Sequence, residues 1–269
     1  MLRKCLEEKI LILDGAMGTN IQKYNLKEED YRGEVFKNHE IDLKGNNDIL
    51  SLTRPDVIKD IHKSFLEAGA DIIEANTFSS NSISQKKYGL DNIIKELNRA
   101  SIRLAKEAAL EYSTADKPRF VAGSIGPTNK SASISPDVMH PEYRDVTFDD
   151  LVKCYKEQVE VLAEEGVDVF LIETVFDTLN AKAAIYAIKR VLKEKSLDIP
   201  IMVSVTLTDK SGRTLSGQTL EAFYYSIEFA NPITVGLNCS MGIKSMIPYI
   251  EELSEISKCG ISLYENAGL

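Results

Sequence analysis

A cysteine at the end of a short apolar run is the residue best placed to do chemistry in this chain. Cys239 closes the segment Thr-Val-Gly-Leu-Asn-Cys, and a thiol at that point can face the mouth of a barrel. A thiolate is both a nucleophile and a zinc ligand. A catalytic zinc ion usually takes three protein ligands, so Cys239 would need partners elsewhere. A free cysteine is also often a small buried hydrophobic residue, and the spacing leaves both interpretations open.

Two further segments place polar groups directly after apolar runs. Glu173 follows Phe-Leu-Ile, where a carboxylate is costly to bury unless it is paired. It either faces the mouth, where an ammonium group is its natural ligand, or it caps a loop. Asp14 opens the segment Asp-Gly-Ala-Met-Gly-Thr, whose two glycines allow a tight turn with exposed backbone N–H groups. Such a turn can bind an anion, or it can need glycine for its geometry alone.

The other candidate residues show no catalytic or metal-binding pattern. The three histidines lack metal-ligand spacing, and no Ser-His-Asp arrangement can be argued. The four cysteines contain no CxxC pair and predict no disulfide framework. The glycine turn after Asp14 is neither a GxGxxG motif nor a P-loop, so it does not imply a nucleotide.

Apolar, β-branched runs alternate with amphipathic segments along the chain. Seven runs predict strands, at residues 10–13, 70–74, 119–122, 167–173, 200–206, 233–237 and 260–263. The intervening patterns predict helices at residues 55–68, 91–112, 147–165, 177–195, 219–230 and 243–257. Runs that are apolar nearly throughout are typical of a parallel sheet buried on both faces. The alternation predicts an α/β fold, either a doubly wound sheet or a (β/α)8 barrel.

Polar clusters after the runs favour a TIM-type barrel. In a barrel the carboxyl ends of all strands converge on one face, whereas an open sheet spreads them along an edge. Seven runs instead of eight predict that the eighth βα unit lies beyond Leu269. We predict one barrel domain over residues 1–269, with residues 24–51 and 123–145 as long irregular loops at its mouth.

Composition limits the partners and the compartment. The 269 residues carry a formal charge of −9 without a Lys/Arg-rich run, which argues against nucleic acid and anionic membrane surfaces. The N-terminus lacks the apolar core of a signal peptide, and no apolar run approaches the ~18 residues that span a bilayer. These features predict a reduced, cytoplasmic protein.

Several segments resemble one known family, in order, from about residue 10 to the end of the chain. They include residues 14–19, 42–48, 133–137, 172–183, 211–218 and 236–239. Together they resemble the homocysteine-binding, N-terminal module of cobalamin-dependent methionine synthase, in the homocysteine S-methyltransferase family. Residues 42–48 and 133–137 favour this branch over methyltransferases that use betaine or S-methylmethionine. Such a stand-alone enzyme and an inactive truncated barrel that only binds a partner are the alternatives.

The resemblance implies a (β/α)8 barrel and a zinc ion that binds the homocysteine sulfur as thiolate. Three cysteines hold that zinc in the family, and one of them matches Cys239. The other two form an adjacent pair in a Gly-Gly-Cys-Cys-Gly motif, which this sequence does not contain. Asn266 matches an asparagine that can fill the open zinc position. We therefore expect no tight zinc site and little methyl transfer from residues 1–269 alone.

The resemblance also implies the substrate contacts and the methyl donor. Asp14 and Glu173 match carboxylates near the homocysteine amino group. The backbone N–H groups of Gly15, Ala16 and Met17 match those near its carboxylate. The methyl group would come from methylcobalamin, which another module carries, so the expected partners are homocysteine and cobalamin- and folate-binding modules of the same or a separate chain.

Overall fold

The structure is a computed structural model that describes residues 1–208, 211–239 and 241–265. It has an α/β fold, and its described residues contain six strands: β1 (Ile72–Glu74), β2 (Phe120–Ile125), β3 (Val169–Val175), β4 (Ile201–Val205), β5 (Thr234–Asn238) and β6 (Gly260–Tyr264). The sheet order follows the chain from β1 to β6. The pairs β1–β2, β3–β4, β4–β5 and β5–β6 are all parallel. Sequential parallel order is what a TIM-type barrel requires, while the count of eight units stays a prediction.

Helices connect the strands. In the described residues they are α1 (Leu2–Glu8), α2 (Met17–Lys23), α3 (Glu28–Arg32), α4 (Leu50–Thr53), α5 (Pro55–Ala68), α6 (Ser82–Gln85), α7 (Ile94–Tyr112), α8 (Phe148–Glu164), α9 (Thr178–Lys195), α10 (Leu220–Ile227) and α11 (Ile243–Ile256). Short 3-10 turns lie at Asn47–Ile49, Lys86–Tyr88 and Glu228–Ala230. Of the helices that the structure describes, none is long and apolar enough to cross a membrane.

The chain divides into two compact units. Unit 1 comprises Met1–Ser124 and Glu160–Val169, and unit 2 comprises Ile125–Val159 and Phe170–Leu269. In unit 1, a buried cluster that includes Ile21, Leu43, Ile58 and Leu97 joins α2, α5 and α7 to the segment before α4. In unit 2, many of the buried side chains belong to α8, to β3–β5 and to the helices that follow these strands, and Phe170, Val203, Phe223, Tyr224 and Val235 are among them. The prediction of one barrel domain stays a prediction.

Helix boundaries agree closely with the local sequence signals. Helix α5 begins at Pro55, in the first turn where proline costs no hydrogen bond, and ends before Gly69 in the left-handed conformation. Helix α8 begins with a capping box, in which Thr147 N donates to Asp150 Oδ2 at 3.0 Å and Asp150 N donates to Thr147 Oγ1 at 3.2 Å. Asp177 caps α9 by accepting from the N–H two residues on. These predicted helices are confirmed.

The strand predicted at residues 10–13 is wrong. Only one parallel bridge forms there, between Leu13 and Ile72, and Ile10 is 88% exposed. The Asp71 carboxylate accepts from Ile12 N at 3.0 Å, and Ile12 O accepts from the backbone N–H groups of Asp71 and Ile72. A side chain thus takes a backbone donor that a longer ladder would use. A β-branched run alone cannot reveal such competition.

The prediction that residues 24–51 are irregular is also wrong in part. Helix α3 lies inside this stretch, and its Glu28 accepts from the backbone N–H groups of Leu43 and Lys44 at 2.8 and 2.7 Å. A 3-10 turn then leads into α4. The buried carboxylate of Asp48 accepts from Ser79 N and Ser80 Oγ at 2.9 and 2.8 Å. Tertiary hydrogen bonds therefore order a segment that lacks a strong periodic pattern.

Candidate active site

The chain has an unusual backbone at the carboxyl ends of β3 and β5. Thr174 and Cys239 have positive φ angles of 57° and 58°. This left-handed conformation is uncommon for residues with a Cβ and strained for β-branched threonine. Cys239 N donates to Tyr264 O at 2.9 Å, and the register between β3 and β4 shifts between Ile172 and Val175. Packing in unit 2 thus holds two residues in conformations that they would otherwise avoid, a pattern that clusters at functional sites.

Asn238 connects these two positions. Its side chain is 1% exposed, and its Nδ2 donates to Thr174 Oγ1 at 2.7 Å and to Cys239 Sγ at 3.2 Å. Its Oδ1 accepts from Thr174 N at 2.9 Å and from the Ser204 hydroxyl. The amide therefore uses both of its ends to fix the strand ends around the thiol. The sequence alone did not indicate the roles of Asn238, Thr174 and Ser204, although the first two stand beside Cys239 and Glu173 in the sequence.

The Cys239 thiol is half-buried and favours its protonated form. Burial raises its pKa above the ordinary value of 9.0, and the negative charge of Glu173 raises it further. Hydrogen bonds with Asn238 and Thr174 lower the pKa, but they do not reverse the shift. A thiol of this kind becomes a thiolate at neutral pH when a cation binds it. The structure thus brings Cys239 and Glu173 together, as the sequence led us to expect of residues at the ends of strands.

Glu173 lies within β3, which extends two residues beyond the predicted end of this strand at residue 173. Its side chain is 6% exposed. It borders a cavity of about 10 Å³, together with Tyr155 and Asp177. That volume holds about one water molecule and is too small for an amino acid.

The described residues provide one metal ligand and not a complete site. Cys239 is a suitable soft donor, but a single thiolate does not hold zinc tightly. Among the residues that the structure describes, no group of three or more His, Cys, Asp or Glu side chains could hold a metal ion. Asn266, the predicted fourth ligand, lies outside the described residues. The described residues therefore do not provide enough ligands to hold a zinc ion by themselves.

Asp14 occupies the predicted position in unit 1, just after the bridge to β1. It is 6% exposed, and its Oδ2 accepts from Glu74 N at 3.0 Å. Its own N–H donates to Ile72 O at 2.9 Å. Asp14 is thus anchored to β1 through both its backbone and its carboxylate.

The turn after Asp14 has the close packing that its glycine implies. A Cβ on Gly15 would lie 2.6 Å from Cε1 of Phe65, so a larger residue would displace this ring. Ala16 precedes α2, and Met17 is the first residue of that helix. The roles of Gly15, Ala16 and Met17 in substrate binding stay predictions.

A loop in unit 2 is ordered by the residue that caps α9. Asp177 Oδ1 accepts from Ser133 Oγ at 2.7 Å, and its Oδ2 accepts from Ser131 Oγ at 2.5 Å. Asn180, in the first turn of α9, accepts from Ala132 N at 3.0 Å. The loop after β2 is thereby attached at the carboxyl end of β3. Residues 133–137, whose sequence favours the methionine synthase branch of the resemblance, lie in this loop.

Comparison with known proteins identifies the family. The model of the homocysteine S-methyltransferase family matches residues 11–269. The chain belongs to the homocysteine S-methyltransferase family. This confirms the resemblance seen in the sequence and gives the reaction class, which is methyl transfer to the sulfur of homocysteine.

Solved structures share the fold. The oxidized form of the homocysteine methyltransferase MmuM from Escherichia coli superposes with a TM-score of 0.78 at 21% identity, covering 99% of this chain and 86% of that chain. The metallated form of the same enzyme gives a TM-score of 0.77 at 20% identity, covering 99% and 87%. Identities this low support a common fold and leave the roles of individual residues to the geometry of this chain.

Proposed function

We propose that this chain is the homocysteine-binding module of a methionine synthase, and that it presents the homocysteine sulfur for methylation to methionine. One observation carries the proposal. Cys239 is held in a strained conformation by Asn238, and Glu173 lies near enough for its charge to raise the thiol pKa. Conformational strain and a perturbed thiol at the carboxyl ends of parallel strands are typical of an active site.

A bound metal ion would convert this thiol, whose pKa is raised by burial, to its thiolate form. Zinc, when bound, supplies the thiolate form of a coordinated thiol at neutral pH. Cys239 would be one ligand, and the resemblance implies an adjacent cysteine pair as the other two, with Asn266 as a replaceable fourth ligand. The metallated form of the Escherichia coli enzyme supports a metal in this family.

Glu173 would bind the ammonium group of homocysteine. A carboxylate that is 6% exposed is stabilised by a cationic partner, and a charge-assisted hydrogen bond would orient the substrate. Asp14 and the N–H groups of Gly15, Ala16 and Met17 stay the predicted contacts of the amino-acid end. Asn238 would act as a positioning residue because it hydrogen-bonds to Cys239 Sγ.

The methyl donor separates two versions of this proposal. The segments at residues 42–48 and 133–137 favour methylcobalamin carried by another module, with a folate-binding module as a further partner. The similarity to MmuM gives comparable support to a stand-alone homocysteine methyltransferase, with S-methylmethionine or betaine as donor. Methionine formation from homocysteine with each of the three donors distinguishes them. Transfer from S-methylmethionine or betaine, and none from methylcobalamin, would contradict the methionine synthase assignment.

Zinc content tests the site itself. The chain as it stands and a chain extended by a relative's segment with the cysteine pair would be compared, each with and without homocysteine. We expect little zinc in the first and about one zinc per chain in the second. Cys239→Ser should abolish this binding, whereas Cys259→Ser, which removes another partly buried thiol, should keep it. Zinc retained by the Cys239→Ser protein would refute the assigned ligand.

A further inference from the structure

Unit 1 contains a cavity of about 420 Å³ that has no role in the proposed reaction. It lies between α7, the start of β2 and the turn that precedes β3, at the amino ends of these strands. Its lining includes Arg103, Lys106, Leu110, Arg119, Glu165 and Asp168. The volume falls in the range of about 300–1,000 Å³ that is typical of small-molecule sites.

Two of the charged pairs in this wall are already neutralised. Arg103 Nε donates to Glu165 Oε2 at 2.9 Å, and Glu107 pairs with Lys59 at 3.1 Å. Lys106 instead donates to two backbone carbonyl oxygens, those of Glu165 and Gly166, at 2.7 and 3.1 Å. The ammonium group of Lys106 therefore adds positive charge to the pocket.

Arg119 makes its hydrogen bonds through Nη1 and has an unsatisfied donor at Nε. Its side chain is 9% exposed, and its Nη1 donates to the carbonyl oxygens of Gly69 and Ala70 at 3.1 and 2.7 Å and lies 3.6 Å from the Asp71 carboxylate. Its Nε is buried with no hydrogen-bond partner. An unsatisfied buried donor is costly, and the Nε–Nη2 edge of a guanidinium matches the two oxygens of a carboxylate. A carboxylate that reaches this edge would satisfy the donor.

Asp168 contributes a negative charge to the same pocket. Its Oδ2 accepts from Val121 N at 2.8 Å. Desolvation raises the pKa of this carboxyl above its ordinary value. The Val121 hydrogen bond and the positive charges of Lys106 and the chain N-terminus offset only part of this shift. A ligand with a cationic group would stabilise the ionised form, whereas a simple anion would be repelled.

Apolar surface separates these charged groups. Ala109 and Leu110 of α7 and Val121 of β2 form the apolar part of the lining, and Leu110 is 78% exposed. Burial of an aliphatic chain against this surface would be favourable. The pocket thus offers a cationic fork, a carboxylate and an apolar wall.

We propose that this pocket binds a zwitterionic α-amino acid with an apolar side chain. The ligand carboxylate would pair with Arg119, its ammonium group with Asp168, and its side chain with Leu110 and Val121. The lining residues belong to unit 1, whereas Cys239 belongs to unit 2, and the proposal does not depend on the proposed function. If that function holds, methionine, the product, belongs to the class of ligands that this pocket would bind.

Calorimetric titration of the purified chain with L-norleucine tests the chemistry of the ligand. Norleucine matches methionine in shape and has no sulfur to bind a metal. We expect saturable binding of norleucine. The affinity for hexanoate, which lacks the ammonium group, and for pentylamine, which lacks the carboxylate, should be lower by at least about tenfold. Equal binding of norleucine and hexanoate would overturn the proposal in favour of a simple anion site, and no binding of norleucine would overturn it altogether.

Variants locate the site. Arg119→Met and Asp168→Asn should each weaken norleucine binding about tenfold or more. Arg119 also hydrogen-bonds to backbone carbonyls, so its replacement can weaken binding through a loss of stability. Leu110→Glu therefore provides a second test at an exposed position, and Leu215→Glu, at another exposed leucine, is the matched control. The Leu110 variant should lose binding and the Leu215 variant should keep it. Glu173→Gln should bind norleucine normally, because Glu173 does not line this pocket. Loss of binding in that variant, with binding kept by Leu110→Glu, would assign the ligand to the proposed active site and refute this pocket.

Discussion

Replacement of Asn238 by alanine should destabilise unit 2 more than the replacement of a single polar residue usually does. The amide is 1% exposed and lies between the carboxyl ends of β3, β4 and β5. It hydrogen-bonds to Thr174 N, Thr174 Oγ1, Ser204 Oγ and Cys239 Sγ. Alanine removes all four contacts and cannot replace either the donor or the acceptor.

The expected magnitude follows from those contacts. A buried hydrogen bond contributes about 1 kcal/mol net, so the three bonds to nitrogen and oxygen partners amount to about 3 kcal/mol. The contact with the Cys239 sulfur is weaker and adds little. In the variant, the Thr174 N–H loses its acceptor while the Thr174 backbone keeps its strained left-handed conformation, so no new contact offsets the loss. We therefore expect the free energy of unfolding to fall by about 3 kcal/mol.

Urea unfolding followed by circular dichroism measures this change. Asn92→Ala, at an exposed asparagine, is the matched control and should change stability by less than about 0.5 kcal/mol. A loss below about 1 kcal/mol for Asn238→Ala would refute the reasoning, since it would mean that water replaces the amide in all its contacts.

Three other substitutions test the charges and the packing. Glu173→Gln should lower the pKa of the Cys239 thiol, because it removes a negative charge that raises it; the pH dependence of thiol alkylation, with the other cysteines replaced, measures this pKa, and an unchanged value would contradict the contact. Burial lowers the pKa of His62 from 6.5 to about 4, so the unfolded chain binds the proton more readily and stability falls as the pH drops through this window. Acidification from pH 7 to 5 should lower the free energy of unfolding by about 2 kcal/mol through this residue. In urea unfolding, the loss of stability between these pH values should be smaller by that amount in His62→Leu than in the wild type, and equal losses would exclude this role. Gly236→Ala should cost about 2 kcal/mol or more in urea unfolding, because its Cβ would overlap a carbonyl oxygen of β6, whereas Gly242→Ala meets open space and is the control; equal effects would disprove the clash.

Local signals in the sequence were sufficient for most helices and strands. Pro55 marks the start of α5, Asp177 the cap of α9, and the apolar run before Asn238 becomes β5. Each of these depends on residues within a few positions along the chain, where capping, fixed φ angles and periodic burial act. The strand predicted at residues 10–13 does not form, because Asp71, which is far away in sequence, accepts a hydrogen bond from one of the backbone donors there.

The active-site candidates were predictable only as residue types. The sequence placed Glu173 and Cys239 after apolar runs, and the family resemblance gave them roles. It did not show that Asn238 would contact both Thr174 and Cys239, since this depends on the register of β3, β4 and β5. Register is set by the packing of whole strands and cannot be read from a single run.

The amino-acid sequence by itself determined the family, the order of helices and strands, and the presence of a thiol and a carboxylate at strand ends. These properties depend on local propensity and on motifs that lie contiguous in the chain. Tertiary structure alone decided the left-handed backbone at Cys239, the raised pKa of its thiol, and the charged pocket around Arg119. Each of these arises from groups that are distant in sequence, because burial and Coulomb interactions depend on separation in space.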